Sequence, residues 1–115
     1  MNFDLTLSRG DVEAIVAALP LVIALGASTP QQAAINASAC MTSGEKILSG
    51  SRSLDAHEIR AVSLALEASV LMLSGKCPDL FADVDSELRS SLSKHFFTLN
   101  KLNQVFQDFT AHSGY

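Results

Sequence analysis

Three helix-start signals of one kind punctuate this chain, and a glycine closes the segment that follows each. Ser8 and Asp11, Thr29 and Gln32, and Asp55 and Glu58 each set a capping residue three places before an acid or amide. At that spacing the cap side chain accepts a hydrogen bond from an orphan N–H while the later side chain reaches back to the cap. Gly26, Gly50 and Gly75 stand where a left-handed residue is wanted just past a helix end. Leu7 before the first cap can pack on Val12, and Leu54 before the third on Ile59, as hydrophobic staples. The residues up to Leu7 alternate apolar and polar (Phe3, Leu5, Leu7) and read as an extended lead-in. The prediction is an all-α fold: a compact antiparallel four-helix bundle in one domain over residues 1–115, with helices near 9–25, 30–49, 56–74 and 80–111. A chain of 115 residues can bury one stable core without staples.

Each helix has its own pattern. The first is polar for one turn and then apolar all the way round through Ile15, Val16, Leu19, Leu21, Val22, Ile23 and Leu25. Such a helix is either central in its domain or covered by another subunit. Pro20 removes one of its backbone bonds and is expected to kink it, which also offers a place for a ligand cavity. The second helix starts with Pro30 at the favoured first position and carries a seam of small residues, Ala33, Ala37, Cys40 and Gly44. Gly44 marks a close contact, a bend or an early end. The third buries a stripe through Ile59, Val62, Leu66, Val70 and Leu73. The fourth meets no Gly or Pro between Leu80 and Ala111. Unbroken, it would measure about 48 Å, so either a break near Asp83–Asp85 splits it or its end overhangs the bundle. Its apolar positions, Leu88, Leu92, His95 or Phe96, Leu99, Leu102, Phe106 and Phe109, follow the alternating four and three spacing of a coiled-coil seam.

Charge narrows the partners. A net charge of −4 with eight scattered Lys and Arg argues against nucleic acid, which needs clustered cations. No residue from Ala14 through Gly44 is charged, yet the strongly apolar part, Ala14 to Ala27, is too short to span a bilayer and contains Pro20. Asp4, Asp11 and Glu13 outweigh Arg9 at the front, against a secretory leader. Cys40 and Cys77 have no framework around them and fit a reducing compartment, so the expected location is cytoplasmic.

Constellations for chemistry are sparse. Asp83, Asp85 and Glu87 have the spacing that opens a calcium loop, but Leu88 stands where Gly is needed and Lys94 where a bidentate Glu belongs. The acids fit better as partners of a positive helix end. His57, His95 and His112 lack a Glu or His at the spacing of bundle metal sites. Glu67 lies among Leu64, Leu66, Val70 and Leu71, and an inward orientation there would flag a site. The sequence calls for no metal or cofactor and points to no catalytic residue. Ala56-His57-Glu58-Ile59-Arg60-Ala61-Val62-Ser63 resembles, over about seven residues, the His-x-Leu-Lys-Gly-x-Ser pattern of histidine phosphotransfer domains. Those domains are four-helix bundles too, and the resemblance implies a phosphoryl-accepting His57. Ala61 stands in place of the Gly, and Asp55 as cap puts His57 in the first helical turn rather than mid-helix.

The reading that absorbs most of these features is a non-enzymatic protein–protein interaction or regulatory module, homodimeric, with its interface on Phe96, Leu99, Leu102, Phe106 and Phe109. The alternative for those five residues is that they fill the bundle core. Partners are then a second copy or another protein. A bundle that binds a small apolar ligand beside Pro20 is the second reading, and a phosphorelay-type histidine domain the third.

Overall fold

The computed structural model describes residues 7–51 and 53–113. The expected lead-in through Phe3 and Leu5 lies outside the described residues, as does the His112 side chain. Five helices follow in order: α1 (Arg9–Leu25), α2 (Pro30–Leu48), α3 (Ala56–Leu73), α4 (Ser86–Ser93) and α5 (Phe96–Ser113).

The local signals act as their chemistry requires at the starts of α1 and α3, while Gly26 caps α1 with ψ −169°, outside the left-handed helical region. Ser8 Oγ accepts from the Asp11 N–H at 3.1 Å, and Asp11 Oδ2 accepts from the Ser8 N–H at 3.0 Å. Asp55 and Glu58 exchange the same pair of bonds at 2.8 and 2.9 Å. Thr29 caps α2 from one side only. Its Oγ1 accepts from the Gln32 N–H at 3.0 Å, while the Gln32 amide turns forward and donates to Asn36 Oδ1 at 2.9 Å. The stops at α2 and α3 are Schellman closures: Ser51 N–H to Lys46 O and Gly50 N–H to Ile47 O, then Lys76 N–H to Leu71 O and Gly75 N–H to Met72 O. Gly50 at φ 91° and Gly75 at φ 75° take the left-handed conformation that these closures demand.

The last third of the chain departs from the expected single helix. Turns run from Pro78 through Asp83, Asp85 caps α4 by accepting from the Glu87 N–H at 3.0 Å, and a second break falls at Lys94–His95. No Gly or Pro causes either break; tertiary packing does. Phe81 is drawn fully into the core, and Arg89 Nη2 donates to its carbonyl at 2.6 Å, fastening the turn onto α4. A rod of about 48 Å would overrun a body whose extents are 35 × 33 × 26 Å. Breaking at His95 instead keeps Leu92 on one segment and Leu99, Leu102 and Phe106 on the other turned to the same core.

The helices assemble around a central pair. α1 and α3 pack on each other, and α2, α4 and α5 each make their main contacts with that pair. α1 contributes Ala14, Ile15, Ala18, Leu19, Leu21 and Val22 to the core, and α3 contributes Ile59, Val62, Ala65, Leu66 and Met72. Leu7 and Val12 pack against its edge, while Leu54 and Ile59 are fully inside. Burying a Leu or Ile contributes roughly 1.5–3 kcal/mol, so this cluster is the main source of stability.

Candidate functional site

Of the five seam residues, Leu99, Leu102 and Phe106 are buried in the core of the single chain. Phe109 is partly buried against it and Phe96 is half-buried. A partner could reach the first three only by lifting α5 off α1 and α3. The outward side of α5 carries Asn100, Lys101, Gln104 and Asp108 and is polar. One aromatic breaks that pattern: Phe97, a step of about 100° round the helix from Phe96, is 94% exposed.

The apolar surface that stays open lies elsewhere, where α1 meets α2. Ile23 is 54% exposed, Met41 66% and Leu48 65%. They rim an open groove of about 280 Å³ with Val16, Pro20 and Gly44, and Cys40 and Leu19 on its floor. The sequence folds this way because α1 is apolar on two sides. One side feeds the core, and the other, Val16, Pro20 and Ile23, is left outward. The small seam of α2 lets α1 come close: a Cβ added at Gly44 would meet Leu19 Cδ1 at 3.4 Å. α2 continues to Leu48, so Gly44 marks a close contact rather than an end. Pro20 lies on the outward side of α1, and the Val16 carbonyl that its ring deprives of an N–H partner belongs to the groove wall. Beside Pro20 there is thus a shallow groove and not an enclosed void. Glu45 is the one charged side chain along it. Burial pushes the Cys40 thiol up, away from the reactive thiolate. Cys77 is exposed, and both cysteines are free.

The polar groups divide into clamps and surface. Glu58 is 1% exposed, and its Oε1 accepts from the Asp55 N–H at 2.9 Å and from Lys46 Nζ at 2.7 Å. Its Oε2 is buried without a hydrogen bond, and the Thr42 hydroxyl beside the carboxylate donates to the Ser38 carbonyl at 3.0 Å. Burial raises the Glu58 carboxyl, but the Asp55 N–H and Lys46 outweigh it and hold it below the usual range. Asp11 repeats the arrangement on α1. Burial works against the Ser8 N–H and the Lys101 ammonium at 3.1 Å, and the net shift is again downward. Each central helix therefore starts on a buried carboxylate that a lysine of an outer helix clamps, α2 for α3 and α5 for α1.

His57 is exposed in the first turn of α3 and lines two shallow clefts, with Asp55 and Glu58 in one and Arg60 in the other. His95 is half-buried at the α4–α5 break, and Glu67 points outward. Asp79, Asp83, Asp85 and Glu87 are all exposed. Among the described residues, no three His, Cys, Asp or Glu are placed to hold a metal ion. No described helix is long and apolar enough to cross a membrane.

Ile23, Met41, Leu48 and Phe97 were not among the seam positions. The signal for Ile23 and Met41 is the charge-free run from Ala14 to Gly44, which contains more apolar residues than the inner side of α1 can use, and Leu48 lies just beyond it. The chain matches no family model, no curated protein and no solved structure.

Proposed function

We propose that this chain is a non-enzymatic protein–protein interaction module that works as a homodimer, joined through the α1–α2 face. The observation that carries the reading is the convergence of Ile23, Met41 and Leu48, each more than half exposed, on one groove. An apolar patch of that kind on a small protein normally meets a partner, because leaving it in water forgoes its burial energy.

Three features favour a second copy as the occupant. The chain has a net charge of −4, and most of the groove lining falls in its charge-free run with Glu45 at the margin, so two acidic copies can meet there with little repulsion. The face is also large enough. α1 and α2, 17 and 19 residues long, run about 25 and 28 Å. Side by side at about 9 Å they offer on the order of 500 Å² a side, about the 1,000 Å² in all that a specific interface has to clear. Finally, a ridge beside a groove suits a two-fold contact, in which Met41 and Leu48 of each copy enter the groove of the other. The groove, at about 280 Å³, is small and open for a ligand pocket, which favours the protein partner over the small apolar ligand.

The test is Ile23→Asp/Met41→Asp, since charges on the face desolvate badly. Sedimentation equilibrium in about 0.5 M NaCl leaves apolar contacts intact. A dimeric wild type and a folded monomeric variant would support the proposal. A monomeric wild type, or a variant that keeps the wild-type mass, would refute it. Native mass spectrometry of the wild type reads the ligand alternative directly, as a reproducible added mass.

A further inference from the structure

The outer edge of α4 is the second place where the surface is unusual, and it is polarised. Exposed Asp83 and Glu87 lie at its start, and exposed Lys94 at its end. Seven residues separate Glu87 from Lys94, two helical turns, so both lie on one face about 10 Å apart. None of the three has an ion-pair partner among the described residues. Close in sequence to each end stands a large apolar side chain in water: Leu80, 57% exposed, three residues before Asp83, and Phe97, 94% exposed, three after Lys94. Lys101, one turn beyond Phe97, adds to the positive end; its side chain is 63% exposed while it clamps Asp11.

An edge with acid and leucine at one end and lysine and phenylalanine at the other is complementary to itself turned round. We infer that a second two-fold contact joins copies of this chain along α4, antiparallel, with Phe97 of each on Leu80 of the other. Lys94 and Lys101 then face Asp83 and Glu87 across the axis. The axis falls midway between Glu87 and Lys94, at Ser90, an exposed small residue that lets the two helices approach. In this register opposite charges meet across the axis, so charge favours the alignment and Phe97 supplies the anchor. α4 makes its main contacts with α1 and α3, and none of its residues lines the α1–α2 groove. The contact thus stands whether or not that pairing exists.

Salt separates the two faces. Exposed ion pairs are screened at high ionic strength and apolar contacts are not. The experiment is sedimentation equilibrium of the full chain in the Ile23→Asp/Met41→Asp background, at about 0.05 M and about 1 M NaCl. The inference predicts self-association at low salt that weakens at least about tenfold at high salt. Lys94→Glu should abolish it, and Lys94→Glu/Glu87→Lys should restore it by exchanging the charges. Phe97→Ser should weaken it at both salts. All three positions are exposed and outside the core, so circular dichroism should report unchanged folding. A monomer at low salt, association indifferent to salt, or failure of the charge exchange to rescue would each overturn the inference. Should the background variant itself misfold, the same comparison in the wild-type chain reads assembly beyond the salt-resistant species, and its absence is equally decisive.

Discussion

Lys46→Met removes an ammonium and keeps most of the stem that carries it, so it isolates the charge at the α2–α3 junction. In the wild type, Glu58 takes Lys46 Nζ at 2.7 Å and the Asp55 N–H at 2.9 Å while the carboxylate lies almost wholly out of water. Without the ammonium, one backbone N–H is left to hold a buried charge. Breaking a fully buried pair in this way costs about 3–5 kcal/mol. The Lys46 side chain is 40% exposed, so water already screens the pair, and the figure falls to about 2 kcal/mol. The pH dependence follows from the sign of the shift. The folded Glu58 carboxyl is held below its usual value, so its contribution is complete above the unfolded value and is lost as pH falls through the folded one. Lys46→Met gives up much of that depression while burial persists. Its cost is therefore greatest at neutral pH and shrinks at acid pH, as the pH falls through the depressed folded value and the carboxyl protonates. Urea unfolding at matched protein concentration, followed by far-UV circular dichroism, should show the midpoint lowered by about 1 M at neutral pH. A loss under about 0.5 kcal/mol there, the range of an ordinary surface change, or one equal at both pH values, would refute the reasoning.

Other consequences can be read from the same structure. Leu99→Ala empties a fully buried core position and should cost about 2–5 kcal/mol in urea unfolding, whereas Phe97→Ser, at a wet position, should stay within about 0.5 kcal/mol. Lys101→Met breaks the Asp11 clamp, but with the lysine 63% exposed the loss should be smaller than for Lys46→Met, about 1 kcal/mol or less. Gly44→Ala should raise the melting temperature. Alanine is preferred in a helix by about 1 kcal/mol, and the added methyl meets only the flexible end of Leu19 at 3.4 Å.

The parts of the fold legible in the sequence are those decided within a few residues. A serine or aspartate three places before an acid fixes its bonds locally, and the starts of α1 and α3 follow from Ser8, Asp11, Asp55 and Glu58 alone. The breaks around α4 were not legible at the second position and only loosely at the first, because neither is caused by a residue that cannot be helical. The first arises from burying Phe81 and from the Arg89 bond to its carbonyl, the second from turning Leu92 and Leu99 to one core, all tertiary events. The seam on α5 was legible as an apolar stripe, but a stripe does not say whether it faces its own core or another chain. Leu99 and Phe106 face the core. Periodicity was equally silent on α1, where every side is apolar. The packing of Ile15, Ala18, Leu21 and Val22 into the core decides which side faces out. Adjacent Phe96 and Phe97 show the same limit: one is half-buried and the other stands in water, and a single residue of register separates them.

The claim that the α1–α2 face is covered by a second copy is tested most directly by an isotope-filtered nuclear Overhauser experiment. It would be run on an equal mixture of methyl-labelled and unlabelled chains in about 0.5 M NaCl, where the charged α4 edge is screened. Intermolecular contacts from the Met41 methyl to the side chains of Ile23 and Leu48 are the predicted result. Contacts that link Met41 only to residues of its own chain, or intermolecular contacts confined to other surfaces, would contradict it.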